Sequence, residues 1–154
     1  MPHHTLRIAV LNDAPELSRL LTALGHPRSA EQIQERWADW AEAGNEAIVA
    51  AEPSGRLLGV IKLHRMIVLH RPEPVGRITS LIVDANNGAG GIGKSLVAAA
   101  ESNLFAAGCG LIEITSNDRL VDAHAFYEHL GYGRTSSRLA KRKQESGLVT
   151  PHSN

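Results

Sequence analysis

Residues 77–101 read RITSLIVDANNGAGGIGKSLVAAAE: an apolar strand, a run of small residues, then a helix. The first turn of a helix that starts from a Gly-rich loop carries N–H groups without intrahelical acceptors, together with the positive end of the helix dipole. It is a ready seat for phosphate. Composition narrows the setting. The 154 residues suit one domain, and 16 Lys plus Arg balance 16 Asp plus Glu. A neutral chain gives no support to a nucleic-acid surface, so an anion site has to be local. The single cysteine, Cys109, excludes an intrachain disulfide framework and argues against a Cys-rich zinc module; no metal is expected. The opening MPHHTLRIAV lacks the pattern of a signal peptide, and no apolar run is long enough to span a bilayer. The expectation is a cytoplasmic protein with no membrane or nucleic-acid partner.

In chain order, residues 6–11 read as a strand. A helix follows with Asp13 as N-cap, Glu16 at the capping-box position, and Leu17, Leu20, Leu21 and Leu24 on one face up to Gly25. Ser29 with Gln32 marks a second helix start, ahead of Ile33, Trp37 and Trp40 on one face. Residues 47–51 and a run from Leu57 towards His70, joined by Pro53-Ser54-Gly55, read as an antiparallel hairpin. Pro72 and Pro74 interrupt, and 78–83 resume as the strand before the Gly-rich loop. The helix after the loop places Ile92, Leu96, Ala100 and Leu104 on one face, a division that Phe105 fits poorly. Then come a strand at 111–115, Asp118 as a cap, a helix striped by Leu120, Ala123, Tyr127 and Leu130 and closed by Gly131, and a last weak strand at 132–139. Residues 1–140 form one domain in this reading, and 141–154 a polar, frayed tail. Strands before the loop and strand–helix alternation after it imply an α/β (α+β) mixed sheet with helices on its faces.

Two motifs overlap in the loop. Residues 88–95, GAGGIGKS, satisfy the Walker A pattern of nucleotide triphosphatases. The surroundings disagree: about sixty residues remain after it, only one clear strand follows, and that strand does not end in an aspartate suited to magnesium. The second motif joins Val83, Gly91, Ile92, Gly93, Lys94 and Ser95 with a later segment: Ser116-Asn117-Asp118, Ala123, Phe126-Tyr127 and Leu130-Gly131-Tyr132. Together these resemble the pyrophosphate loop and the Asn…Ala-x-x-Phe-Tyr-x-x-Leu-Gly-Tyr ending of the GCN5-related N-acetyltransferases over nearly the whole chain. The resemblance implies a mixed, mostly antiparallel sheet of six to seven strands with about four helices, and acetyl-CoA as co-substrate. It also implies transfer to a primary amine of a small molecule or peptide, and it is compatible with a homodimer. In that family the position of Gly88 holds Arg or Gln. A glycine there removes a polar contact and raises the ordering cost of the loop, so weaker coenzyme A binding is expected.

The roles that the resemblance implies are specific. Leu81, Ile82 and Val83 would align the pantetheine arm and polarise the thioester. Gly88, Ala89, Gly91, Ile92, Gly93, Lys94 and Ser95 would form the pyrophosphate seat. Asn117 and Phe126 would contact the cofactor, and Tyr127 would protonate the departing thiolate, a task suited to a phenol whose ordinary pKa is about 10. The base is open. The strand before the loop offers Thr79 and Ser80 but no carboxylate, which leaves Glu113, facing away from Ile112 and Ile114, or His64, His70, His124 or water. Simpler roles also stand: Trp37 and Trp40 as packing, Cys109 as structural, Lys141-Arg142-Lys143 as a solvated face. Two alternatives remain, a P-loop nucleotide-binding protein and a coenzyme A-binding domain without turnover.

Overall fold

The structure is a computed structural model that describes residues 4–87, 91–115, 121–135 and 139–143. They fall into two compact units, residues 1–117 and 118–154. The first holds a five-stranded sheet: β1 (Thr5–Ile8), β2 (Asn45–Ala51), β3 (Leu57–Met66), β4 (Val75–Val83) and β5 (Leu111–Ile114), neighbours in that order. The first three pairings are antiparallel and β4–β5 is parallel. Helices α1 (Ala14–Leu24), α2 (Ala30–Glu42) and α3 (Ile92–Ala106) belong to this unit; α4 (Val121–His129) belongs to the second. The sheet is therefore mixed and mostly antiparallel as expected, but five strands stand among the described residues where six to seven were implied. The expected last strand does not form at 132–135 or 139, and 136–138 lie outside the described residues. Its sequence, with glycines at 131 and 133, offers little alternation to hold a ladder.

Both faces of the sheet are covered. Leu17 and Leu20 of α1 pack with Ala47, Val49 and Ala51 of β2, Leu57 and Val60 of β3 and Ile82 of β4, and Ile33, Trp37 and Trp40 of α2 close over that cluster. The two indoles lie 5.0 Å apart, so the tryptophans are packing. On the opposite face α3 buries Ile92, Leu96, Val97, Ala100 and Leu104 and leaves Phe105 outside. It lies very close to the strands: a Cβ on Gly59 would meet Leu96 at 3.0 Å, and one on Gly76 would meet Leu104 at 2.8 Å. Cys109 is buried and burial raises its thiol pKa, as suits a structural cysteine.

Several local signals hold, and one gives way to a tertiary partner. Ser29 and Gln32 form the expected capping box, at 3.1 and 2.9 Å. The hairpin turns at residues 52–56, with Gly55 in the left-handed region, although β3 stops at Met66, short of His70. The Asp13 capping box does not form. Both Asp13 oxygens accept from Arg7 at 2.8 Å, and one also accepts from the Val10 N–H, because a guanidinium fork outbids a single cap bond. Glu16 instead pairs with Arg19 and accepts the Leu57 N–H.

Candidate active site

The two halves of β4 have different outer edges. β5 pairs with residues 75–78 of β4, and the Thr115 N–H still reaches the Ile78 carbonyl at 3.3 Å. Opposite the step from Lys62 to Leu63, β4 carries one extra residue, Thr79, whose hydroxyl donates to the Lys62 carbonyl. Such a bulge shifts the alternation of the strand. Beyond it the Asp84 N–H donates to the Leu58 carbonyl at 2.8 Å. Ile82 and Ser80 therefore also face β3, while Leu81 and Val83 turn their N–H and C=O groups to the outer edge. Among the described residues no strand covers that edge.

The exit from β4 is anchored by charge. The buried Asp84 carboxylate accepts from Arg19 at 2.9 Å, Arg56 at 2.8 Å and the Asn86 N–H at 3.0 Å. The Asn86 N–H and the two guanidiniums hold its pKa below the usual carboxylate range. Arg19 also donates to Glu16 and to the Leu57 carbonyl, so α1, β3 and the end of β4 are tied at one point. Sequence reading missed this cluster; its only sign was an aspartate closing an apolar strand.

Gly91 then enters α3 at φ 75°, left-handed. The Ser95 N–H closes the first turn on the Gly91 carbonyl at 3.1 Å. That leaves the amides of Ile92, Gly93 and Lys94, the exposed Lys94 side chain and the Ser95 hydroxyl for a ligand. Gly88, Ala89 and Asn117 lie outside the described residues.

Glu113 sits opposite Arg77 in the parallel pair and is bonded to it at 3.1 Å. Through the register His64–Arg77–Glu113 it shares the sheet face of Lys62 and Ser80. The His64 Nε2 lies 3.1 Å from the Ala43 carbonyl, and His70 is exposed. In the second unit the Arg134 guanidinium donates to His124 Nδ1 at 3.2 Å. There Tyr127 is half-buried, edge-on to Phe126 at 5.2 Å and to Tyr132 at 6.1 Å. Burial pushes its phenol pKa up, so it carries its proton at neutral pH. The N–H groups of Leu130 and Tyr132 close on the Tyr127 carbonyl, with Gly131 left-handed. Among the described residues no group of His, Cys, Asp or Glu could hold a metal, and no helix is long and apolar enough to cross a membrane.

The sheet is mixed and mostly antiparallel, with β4 running towards the N-terminus of α3, and its antiparallel majority does not fit a P-loop fold. The chain belongs to the GNAT family of acetyltransferases, whose sequence model matches residues 14–132. Over 88 residues it is 35% identical to aminoalkylphosphonate N-acetyltransferase of Salmonella typhimurium, and the match covers 57% of each chain. The chain thus spans little more than half the length of that curated relative. Among solved structures, an acetyltransferase of Trypanosoma brucei superposes with a TM-score of 0.80 at 25% identity, over 92% of this chain and 100% of the other. An aminoglycoside N-acetyltransferase in complex with CoA shares the fold, with a TM-score of 0.76 at 17% identity over 92% and 95% of the two chains.

Proposed function

We propose that this chain is an acetyl-CoA-dependent N-acetyltransferase acting on the primary amine of a small molecule or peptide. The observation that carries the reading is the β4 edge at Leu81 and Val83, which no strand covers among the described residues, on the strand that leads to the α3 N-terminus. Free N–H and C=O groups spaced two residues apart suit the amides of a pantetheine arm, and the first-turn amides of α3 suit a pyrophosphate. Acetyl-CoA supplies an activated thioester carbonyl. The Leu81 and Val83 edge, with Ile82 fixing the strand on β3, would orient that carbonyl. Gly91, Ile92, Gly93, Lys94 and Ser95, with Gly88 and Ala89 before them, would hold the phosphates, and Asn117 and Phe126 would contact the arm. As the amine nitrogen bonds to the acetyl carbon and the carbon–sulfur bond breaks, the Tyr127 hydroxyl gives its proton to the thiolate. The amine's own proton passes to water or to a base. Glu113 is the carboxylate candidate, and its ion pair with Arg77 would have to open first.

We read residues 1–140 as one acetyltransferase domain, a reading supported by a family match that runs through both compact units. An aminoalkylphosphonate, the substrate class named for the Salmonella relative, is the first acceptor to assay. Two measurements test the function. Coenzyme A should raise the melting temperature while ATP with magnesium does not, and the reverse would restore the nucleotide-binding alternative. Thiol release should depend on acceptor and fall about a hundredfold or more in Tyr127→Phe; release from no amine at all would leave a binding domain without turnover.

A further inference from the structure

We propose that the open cavity between the α1–α2 loop and the middle of β3 is an oxyanion seat formed by Lys62 and Arg28, and that it selects small amines carrying an acidic group. The inference rests on the acetyltransferase reading and adds to it the substrate class and two specificity-determining residues.

Lys62 occupies an unusual position. It pairs with Ala47 on one side and Ser80 on the other, on the face where Val49, Val60 and Ile82 build the core. A central sheet position of that kind ordinarily holds an apolar residue. Arg7, Arg19, Arg56 and Arg77 each have a carboxylate within 3.1 Å. Among the described residues neither Lys62 nor Arg28 has such a partner. Burial lowers the Lys62 pKa and no carboxylate offsets the desolvation. A half-buried, uncompensated ammonium gains from an anionic ligand.

Open space lies beside it, with a second cation on its lining. The cavity, about 420 Å³, is lined by Leu21, Gly25, His26, Pro27, Arg28 and Lys62. Its loop wall is fixed in advance. Gly25 closes α1 at φ 99°, the His26 N–H donates to the Leu21 carbonyl at 3.0 Å, and the Ser18 hydroxyl donates to the Arg28 carbonyl. Arg28 therefore leaves a rigid corner, which lowers the ordering cost of a bound anion. Lys62 also lies near the β4 edge in register. Its cross-strand partner Ser80 adjoins Leu81, where the β4 edge opens, and neighbouring strands lie only about 4.8 Å apart. A two- or three-carbon amino acid or aminophosphonate spans such a distance, with its acid at Lys62 and its nitrogen towards β4.

The test is a steady-state acetylation series with acetyl-CoA and amines of matched length: 2-aminoethylphosphonate, β-alanine, taurine and uncharged propylamine. The wild-type protein should favour one or more of the acids over propylamine by at least tenfold in kcat/KM, and the preferred acid identifies the oxyanion. Lys62→Met should raise KM for that acid about tenfold. The same variant should leave KM for acetyl-CoA and the rate with propylamine in place, while Lys62→Arg should keep the preference. Equal rates for acids and propylamine would overturn the proposal. So would a fall in kcat for every amine in Lys62→Met, which would make the lysine part of the chemistry. If no amine is acetylated, the transferase reading fails first, and calorimetric titration of 2-aminoethylphosphonate, β-alanine and taurine into the coenzyme A-bound protein still judges the seat. Heat from any of the three that is lost in Lys62→Met upholds it, and no heat with all three refutes it. Melting curves of each variant establish that it is folded.

Discussion

Within β4, residues 75–78 and residues 81–83 belong to one continuous strand, yet their outer edges differ. The first part is laced on both edges, to β3 and to β5, and lies under α3, where Gly76 leaves room for Leu104. The second keeps its bonds to β3, and among the described residues no strand pairs with its other edge. One inserted residue, Thr79, separates the half of the strand that β5 pairs from the half we propose to offer its backbone groups to acetyl-CoA. The Asp84 cluster holds the end of that strand from outside the ladder.

The sharpest attempt to break this contrast is a pair of prolines. In Ile82→Pro the lost N–H faces β3 in a buried row, so a loss of about 3 kcal/mol or more is expected, seen as a collapsed or absent thermal transition. In Leu81→Pro the lost N–H faces the bare edge. The transition should survive, while kcat/KM for acetyl-CoA falls about a hundredfold. Equal damage from both would erase the distinction. Gly76→Val tests the paired half: its Cβ meets Leu104 at 2.8 Å, and overpacking should cost about 2 kcal/mol in denaturant unfolding with KM for acetyl-CoA unmoved.

Asp84→Asn probes the anchor. It removes the charge facing two partly exposed arginines and should cost about 1 kcal/mol. Because Asp84 is held below its unfolded pKa of about 4, its contribution is complete above that pH and drains away as pH falls through the folded value. Melting temperature followed from pH 7 downward should therefore drop less steeply in Asp84→Asn. Asp13 and Glu16, also held low by Arg7 and Arg19, keep part of the slope. The smallest effect expected is on the loop itself. Gly88→Arg should tighten coenzyme A binding by calorimetry a few-fold, the worth of one exposed charge contact; unchanged or weaker affinity would count against the expectation.

Much of this was legible because it is local. The Ser29–Gln32 box, the turn around Gly55, the α3 stripe of Ile92, Leu96, Ala100 and Leu104, and Gly131 at the end of α4 each follow from residues within one or two turns of each other. The Asp13 box failed because Arg7, six residues away, supplied a stronger partner once the chain folded. Glu113 is instructive in the same way. Alternation turned it from Ile112 and Ile114, but only the β4–β5 register shows that Arg77 meets its carboxylate.

By itself, the sequence determined the strand–loop–helix order and the family, since these depend on residue types at short spacing. Tertiary structure decided which edge of β4 is bare, which charges are paired, and that Lys62 and Arg28, 34 residues apart in sequence, line one cavity. Those facts arise from strand register and helix placement, where contacts between distant residues compete and no short window of sequence records the outcome.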